Sequence, residues 1–378
     1  MPFDLTRLPR RHCALRERAA ELAERLRPGA DRADAATGID PATRDALRAS
    51  GLVRLTVPAA HGGEDARVDP LAVTVVREAL MAVSAHLDSL FAMQGIGSFA
   101  LSAADPRLRD AWLPRVAALE AIAALALTEP EIGSDLRSVT TRVTEADGGL
   151  VVSGRKSWIT NAGAADFYTV LCREGDGHSL VLVPADAPGV RVESGPDIIA
   201  PHILGTVFLD EVSVPADHRI GTPGGAFPLV LQTLSTFRVS VAGSAVGLAQ
   251  AALDEAVRHT TSREQFGRAL ARLGPLPHLL GTSWMEIESA RALTYTAAAR
   301  AAEDPAAALP WSSMAKVAAT ETAGRVVDRC VQMMGRFGLV TGSTIERLYR
   351  NARPMRIYEG GNEVLTGQLA KTLTQGHG

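Results

Sequence analysis

The sequence predicts an α+β multidomain protein: an N-terminal helical domain (1–125), a middle antiparallel β domain (126–226) and a C-terminal helical domain (227–378). Three observations predict it. Alanine, leucine, arginine and glutamate at helical spacing dominate to about Leu127. β-branched residues at a shorter period collect from Val139 to about Pro215, and helical patterning returns after the glycine-rich turn GTPGGAF.

Taken in order, Cys13 to Leu26 repeats apolar residues at helical spacing. Pro41 suits the first turn of a helix through Thr43 to Ser50, which should stop near Gly51. LTVPAAHGGEDARVDP, with two prolines and a Gly-Gly pair, reads as a loop. Further helices are expected over Pro70 to Ala82, Ala85 to Ser102 and Arg107 to Ala118, and the apolar run Ala121 to Leu127 must be buried.

Four strand-like runs follow: GLVVSGRKSWIT, FYTVLCRE, HSLVLVPA and TVFLDEVSV. In the third, Leu180 and Leu182 share one face while Val181 and Val183 share the other, so both faces should be covered. Helices are then expected over Pro228 to Thr261, Pro277 to Ala302, Trp311 to Met334 and Thr344 to Arg353, with a last one from Glu363 to Thr372. Pro305, Pro310 and the glycines at 335, 338 and 342 mark the breaks.

Composition narrows the function classes. With 39 basic and 42 acidic residues, the 378-residue chain has a net charge of -3, unlike a nucleic-acid binder. Cys13, Cys172 and Cys330 match no metal-ligand spacing, and reduced, scattered thiols are expected. The N-terminal stretch MPFDLTRLPRRHC lacks the apolar centre of a signal peptide, and no uninterrupted apolar run spans a bilayer. A cytoplasmic protein without membrane insertion is the expectation.

Four motifs occur in order: ALTEPEIGSD (Ala126 to Asp135), GRKSWITNA (Gly154 to Ala162), REQFG (Arg263 to Gly267) and RNARPMRIYEGGNEV (Arg350 to Val364). With them the chain resembles the acyl-CoA dehydrogenase family over nearly its whole length. The resemblance implies that the C-terminal helices form a four-helix bundle, and it implies FAD-dependent oxidation of an acyl thioester. A carboxylate removes the α proton while hydrogen bonds stabilise charge on the thioester oxygen, and the β hydrogen leaves as hydride to flavin.

The resemblance implies the site residues as well. Glu359, in IYEG, matches the catalytic base, and its backbone N–H matches a donor to the thioester oxygen. The alternative for this residue type is a glutamate capping or pairing near Arg356, or one facing solvent. Some family members carry the base immediately before the arginine that corresponds to Arg238; here that position is Phe237, which cannot accept a proton. Arg238 is expected to order the catalytic loop or to form an ordinary salt bridge. Phe237, with Met93 and Phe99, is expected either to line the acyl pocket or to pack in the core.

Thr128, Trp158 and Thr160 match flavin contacts, and Ser134 matches a contact to the cofactor or the pantetheine arm. Arg263 and Phe266 match a segment contributed by a neighbouring subunit, with the guanidinium on the FAD pyrophosphate. Gln332 and Gly335 match the adenosine end. A homotetramer or homodimer, and an electron-transferring flavoprotein as acceptor, follow from the resemblance.

Three departures stand out. Arg336 replaces the second glycine of a common Gly-Gly pair, Gly361 replaces a threonine or serine, and His202 is the sole potential cation between Asp197 and Phe208. The last change leaves open whether the acyl group arrives on CoA or on an acyl-carrier protein, and whether it is a hydroxyacyl group. An oxygen-using oxidase and a non-catalytic scaffold are the remaining alternatives.

Overall fold

The computed structural model describes residues 8–375. The charged residues 1–7, part of the stretch on which the signal-peptide expectation rests, lie outside the described residues. Six helices open the fold: α1 (Arg10–Leu26), α2 (Ala30–Asp34), α3 (Pro41–Ser50), α4 (Pro70–Met81), α5 (Ala85–Ser98) and α6 (Pro106–Ala117). The strands β1 (Ala123–Ala126), β2 (Arg142–Ala146), β3 (Gly149–Thr160), β4 (Phe167–Glu174), β5 (Gly177–Pro184), β6 (Val190–Ser194), β7 (Leu204–Pro215) and β8 (Arg219–Ile220) follow. Then come α7 (Phe227–Ser262), the hairpin β9 (Glu264–Gln265) and β10 (Arg268–Ala269), α8 (Leu276–Glu303), α9 (Leu309–Met334), α10 (Thr344–Ala352) and α11 (Asn362–Gln375).

Local chemistry explains the helix ends. The Asp40 carboxylate accepts from the Thr43 N–H at 2.9 Å and caps α3, and Pro41 occupies its first turn. Gly51 closes the helix at φ 68°, a left-handed conformation costly for a residue with a Cβ.

By backbone packing the chain forms two compact units, each drawn from separated segments. One comprises residues up to 34, 70–88 and 238 onward; the other comprises 35–69 and 89–237. In the first, α9 packs against α8, α10 and α11, and α4 packs against α1 and α8. Among the described residues one helix, α7, is long and apolar enough to cross a membrane, but 78% of its most apolar window is buried within the protein.

The second unit is built on one sheet in the order β6-β7-β3-β2-β4-β5-β8, with β1 pairing β4. Its pairs are antiparallel except those of β1 and β2 with β4, which are parallel. Both faces are buried. Leu180 and Leu182 pack with Leu101, Leu113 and Phe167, while Val181 and Val183 pack with Val152, Tyr168 and Val207. The alternation read in the third strand therefore holds.

The predicted strands 149–160 and 167–174 match β3 and β4, and the four long C-terminal helices lie within two residues of expectation. The four predicted runs leave out β1, β2, β6, the two-residue β8 and the short β9–β10 hairpin. The alanine run of β1 lies in a region read as mostly helical, yet it is extended. The Ala123 N–H donates to the Gln94 side chain and Ala123 to Ala126 pair with Phe167 to Val170, so burial in the sheet overrides alanine's helical preference. The helix predicted to Ser102 ends at Ser98 and continues as a 3-10 turn, Phe99–Ala103. The loop read over residues 55–70 holds a short 3-10 turn, Ala59–His61. Cys172 and Cys330 are unbridged and buried, and burial pushes both thiols up to about 12.

Candidate active site

The IYEGG segment lies between a 3-10 turn, Pro354–Arg356, and α11. Glu359 has φ 56° and Gly360 φ 100°. A left-handed glutamate is strained by roughly 1–3 kcal/mol, so its surroundings must hold it. Gly360 is required at its position, because a Cβ there would also approach Leu365 to 3.0 Å.

Two buried cations do the holding. Arg238 donates from Nε to the Glu359 carbonyl (2.8 Å) and from Nη1 to Ser313 Oγ (3.1 Å). Lys316 Nζ donates to the Gly360 carbonyl (2.7 Å) and to Asn362 Oδ1 (2.9 Å). Asn362 Nδ2 in turn donates to Thr320 Oγ1 (3.0 Å) and Glu321 Oε1 (2.8 Å). Ser313, Lys316 and Thr320 recur at helical spacing, so one face of α9 reaches Arg238, Gly360 and Asn362. Arg356 pairs with Glu321 rather than with Glu359.

Glu359 itself is half-buried, and its Oε2 is a buried oxygen with no hydrogen-bond partner. Burial lowers the affinity of Arg238 for its proton, with the Glu359 charge acting in the opposite direction. Burial likewise brings Lys316 down to about 8, against the attraction of Glu359. A third cation, Arg77, is buried in a two-point pair with Asp88 (2.9 and 2.7 Å) and adds its field at Glu359.

The flavin motifs form another cluster, in the sheet-containing unit. The Ser157 N–H donates to the Thr128 carbonyl at 3.0 Å, which ties the first motif to the second. Behind them Lys156 is fully buried and donates to the Leu127 carbonyl (3.0 Å) and Glu129 Oε1 (2.9 Å). Burial opposes charge on Glu129, but hydrogen bonds from Thr140 and Thr141 and the Lys156 ammonium prevail and hold it at about 2. Burial lowers Lys156, although Glu129 counters it.

Pairing of β3 with β7 shifts register between Lys156 and Ile159. Within this bulge Trp158 adopts φ 58° and turns its indole outward, 55% exposed. Trp158 borders a cavity of about 250 Å³ shared with Pro130, Arg155, Ser157, Leu204 and Thr206. Ser157 Oγ is buried without a partner, and half-buried Thr160 pairs with Leu204.

Other expected residues are dispersed. Ser134 is exposed on a bend after β1. The β9–β10 hairpin turns on Phe266 (φ 51°) and Gly267 (φ 70°), a two-residue turn of positive dihedrals that leaves Phe266 92% exposed. The Arg263 guanidinium lies 4.9 Å from the Phe337 ring centre, which brings REQFG to the segment holding Gln332 and Gly335, both exposed. Arg336 also lies over Phe337, at 5.1 Å. Phe237 is fully buried, edge-on to Phe99 at 5.7 Å.

Sequence reasoning missed Lys316, Ser313 and Asn362 around Glu359, and Glu129 and Lys156 behind Trp158. A signal existed for Lys316, a lone lysine in an alanine-rich helix, at helical spacing from Ser313 and Thr320.

Comparison with known proteins decides the family. Residues 9–120, 124–210 and 224–374 match the models for the acyl-CoA dehydrogenase N-terminal, middle and C-terminal domains. The chain belongs to the acyl-CoA dehydrogenase family. It is 33% identical to "Probable acyl-CoA dehydrogenase FadE25" of Mycobacterium tuberculosis, over 98% of this chain and 97% of that one. It is 35% identical to cyclohex-1-ene-1-carbonyl-CoA dehydrogenase of Geobacter metallireducens, over 85% and 86% of the two chains. Butyryl-CoA dehydrogenase of Megasphaera elsdenii superimposes with a TM-score of 0.92 at 27% identity, covering 99% of this chain and 100% of that chain.

Members of this acyl-CoA dehydrogenase family are FAD-dependent oxidoreductases, and this chain is one of them. Its residues fit such a cofactor. An outward indole offers an aromatic surface, and the orphaned Ser157 hydroxyl, with Thr128 and Thr160 nearby in the motifs, offers hydrogen bonds to ring heteroatoms. Among the described residues no cluster of three His, Cys, Asp or Glu side chains could hold a metal.

Proposed function

We propose that the protein catalyses α,β-dehydrogenation of an acyl-CoA thioester, with Glu359 as the base that takes the α proton. The observation that carries this reading is the state of the Glu359 carboxylate. Its backbone is held in a left-handed turn by Arg238 and Lys316, while Oε2 is buried and uncommitted. An acceptor with no competing donor is suited to a weakly acidic C–H, because no existing hydrogen bond must break first.

Each residue then has a task. Arg238 and Lys316 fix the main chain, so the Glu359 carboxylate arrives already oriented. The Glu359 N–H is left to the thioester oxygen, where it stabilises developing charge. Thr128, Trp158 and Thr160 hold the isoalloxazine, with the Glu129–Lys156 pair behind them, and Ser134 serves the cofactor or the pantetheine arm. Bound FAD supplies the acceptor for the β hydrogen. Phe237 serves the acyl side through its packing with Phe99 rather than by accepting a proton.

Arg263, Phe266, Gln332 and Gly335 serve the pyrophosphate and adenosine end of FAD in a neighbouring subunit of a homotetramer or homodimer. The 92% exposure of Phe266, at the tip of a two-residue turn, supports this reading. An electron-transferring flavoprotein takes the electrons onward; peroxide formed in air at the rate of turnover would mark an oxidase instead.

A second reading, a carrier-protein-bound substrate, is favoured by one observation. Between Asp197 and Phe208 the sole potential cation is His202, and its ring lies 3.3 Å from Ser89 Oγ. Anaerobic flavin bleaching by a panel of acyl-CoA and acyl-carrier thioesters separates the two. Faster bleaching by the same acyl group on CoA excludes the carrier version. No bleaching by any thioester would leave only the scaffold.

A further inference from the structure

Lys316 is an unexpected charge in the helical unit. It lies in the alanine-rich α9 with its side chain fully buried. Its hydrogen-bond acceptors are the Gly360 carbonyl and the Asn362 amide oxygen, both neutral. Burying an ammonium against neutral dipoles is costly, and an apolar side chain of similar length would pack there without that cost.

The carboxylates whose fields favour its charge are Glu359, Glu321 of α9 and Glu363 of α11, while Arg238 of α7 opposes it. The Arg77–Asp88 pair, from α4 and α5, faces the same Glu359. Lys316 is therefore placed where its charge and Glu359 act on each other, and where its donors reach the residue directly after Glu359.

We propose that Lys316 is a positioning residue for proton abstraction: with Arg238 it clamps the consecutive carbonyls of Glu359 and Gly360, fixing the left-handed turn that presents the Glu359 carboxylate and N–H. The proposal rests on the reading of Glu359 as the base. One clamp alone leaves the φ and ψ of Gly360 free to turn one carbonyl against the other. Two clamps, 2.8 and 2.7 Å long, remove that freedom. Lys316 touches no reacting atom in this arrangement and acts through the main chain.

The experiment uses FAD-loaded enzyme with Lys316→Met and Lys316→Ala. Hydrogen exchange of the peptide spanning residues 357–362, read without substrate, is expected to be at least about tenfold faster in Lys316→Met than in wild type. Unchanged exchange overturns the clamp, even if no acyl-CoA bleaches the wild type and the functional reading itself fails.

With the acyl-CoA that bleaches wild type fastest, the limiting rate of flavin reduction in Lys316→Ala is expected to fall about 100-fold, and the half-saturating concentration to change less than about threefold. Propylamine should restore at least about tenfold of that rate, whereas 1-propanol, similar in size but neutral, should not. A variant that keeps its full rate, or one that neither compound or both compounds restore, overturns the proposal.

Discussion

The Arg238 guanidinium grips the main-chain carbonyl of Glu359 at 2.8 Å and leaves the carboxylate Oε2 without a partner. A direct ion pair would have occupied the carboxylate. Contact through the backbone orients it without consuming its acceptor capacity, and this difference sets the expectations below.

Glu359→Gln should remain yellow and bind thioester, since shape and backbone contacts persist. Its anaerobic bleaching rate should fall about 10³-fold, in the range of a lost general base. Stopped-flow absorbance checks this; bleaching near the wild-type rate would move the base elsewhere.

Arg238→Lys should not be conservative. A lysine cannot donate at once to the Glu359 carbonyl and to Ser313 in the guanidinium's planar arrangement. The limiting reduction rate should fall about 10- to 100-fold with bound FAD retained, as read by the flavin spectrum and single-turnover kinetics.

Lys316 gives stability a pH dependence whose sign can be worked out. Its folded-state value is about 8 and its ordinary value 10.5. Between them the unfolded chain holds the proton and the folded chain does not, so stability rises with pH through this window. Relative to Lys316→Met, wild type should gain about 2 kcal/mol from pH 8 to 10 in denaturant titrations. A difference independent of pH would contradict a buried, depressed lysine.

The Glu129–Lys156 pair gives a pH dependence of the same sign in an acidic window. Glu129 sits at about 2 in the fold against an ordinary 4.5, so its contribution is complete above 4.5 and is lost as pH falls through 2. Glu129→Gln should destabilise by about 3–5 kcal/mol at neutral pH, because Lys156 is left buried and uncompensated. Glu129→Gln with Lys156→Met should recover part of that loss, and equal losses in the single and double variants would refute the pairing argument.

Gly361→Ser should be tolerated. A Cβ there meets nothing closer than Glu363 Oε2 at 3.7 Å, and the residue has no left-handed backbone to protect. Restoring the hydroxyl usual at this position should tighten FAD binding about three- to tenfold, measured by flavin fluorescence.

Much of this was legible in the chain. Period and turn residues located α7 to α10 and β3 to β5, because long amphipathic or β-branched runs carry strong local signals. β1 was not legible: four alanine-rich residues have no strand preference, and their conformation comes from pairing with Phe167 to Val170. Motif order drew attention to Glu359 and Trp158. Arg238 was already expected to order the loop; the second clamp was hidden because Lys316 and Asn362 lie 46 residues apart and their meeting depends on packing. Inward-facing Lys156 was hidden by the ordinary view of lysine as a surface residue.

Because Lys316 and Thr320 reach Gly360 and Asn362, and Ser313 reaches Arg238, from a single stripe of α9, the hold on this segment depends on the rotational phase of that helix as much as on residue identity. One added residue early in α9 would turn the stripe by about 100°. The helix would survive, its composition would hardly change, and every residue of the motifs would still be present. The grip on Glu359 would nonetheless be gone, so in this fold an insertion far from the motifs is more damaging than many substitutions beside them.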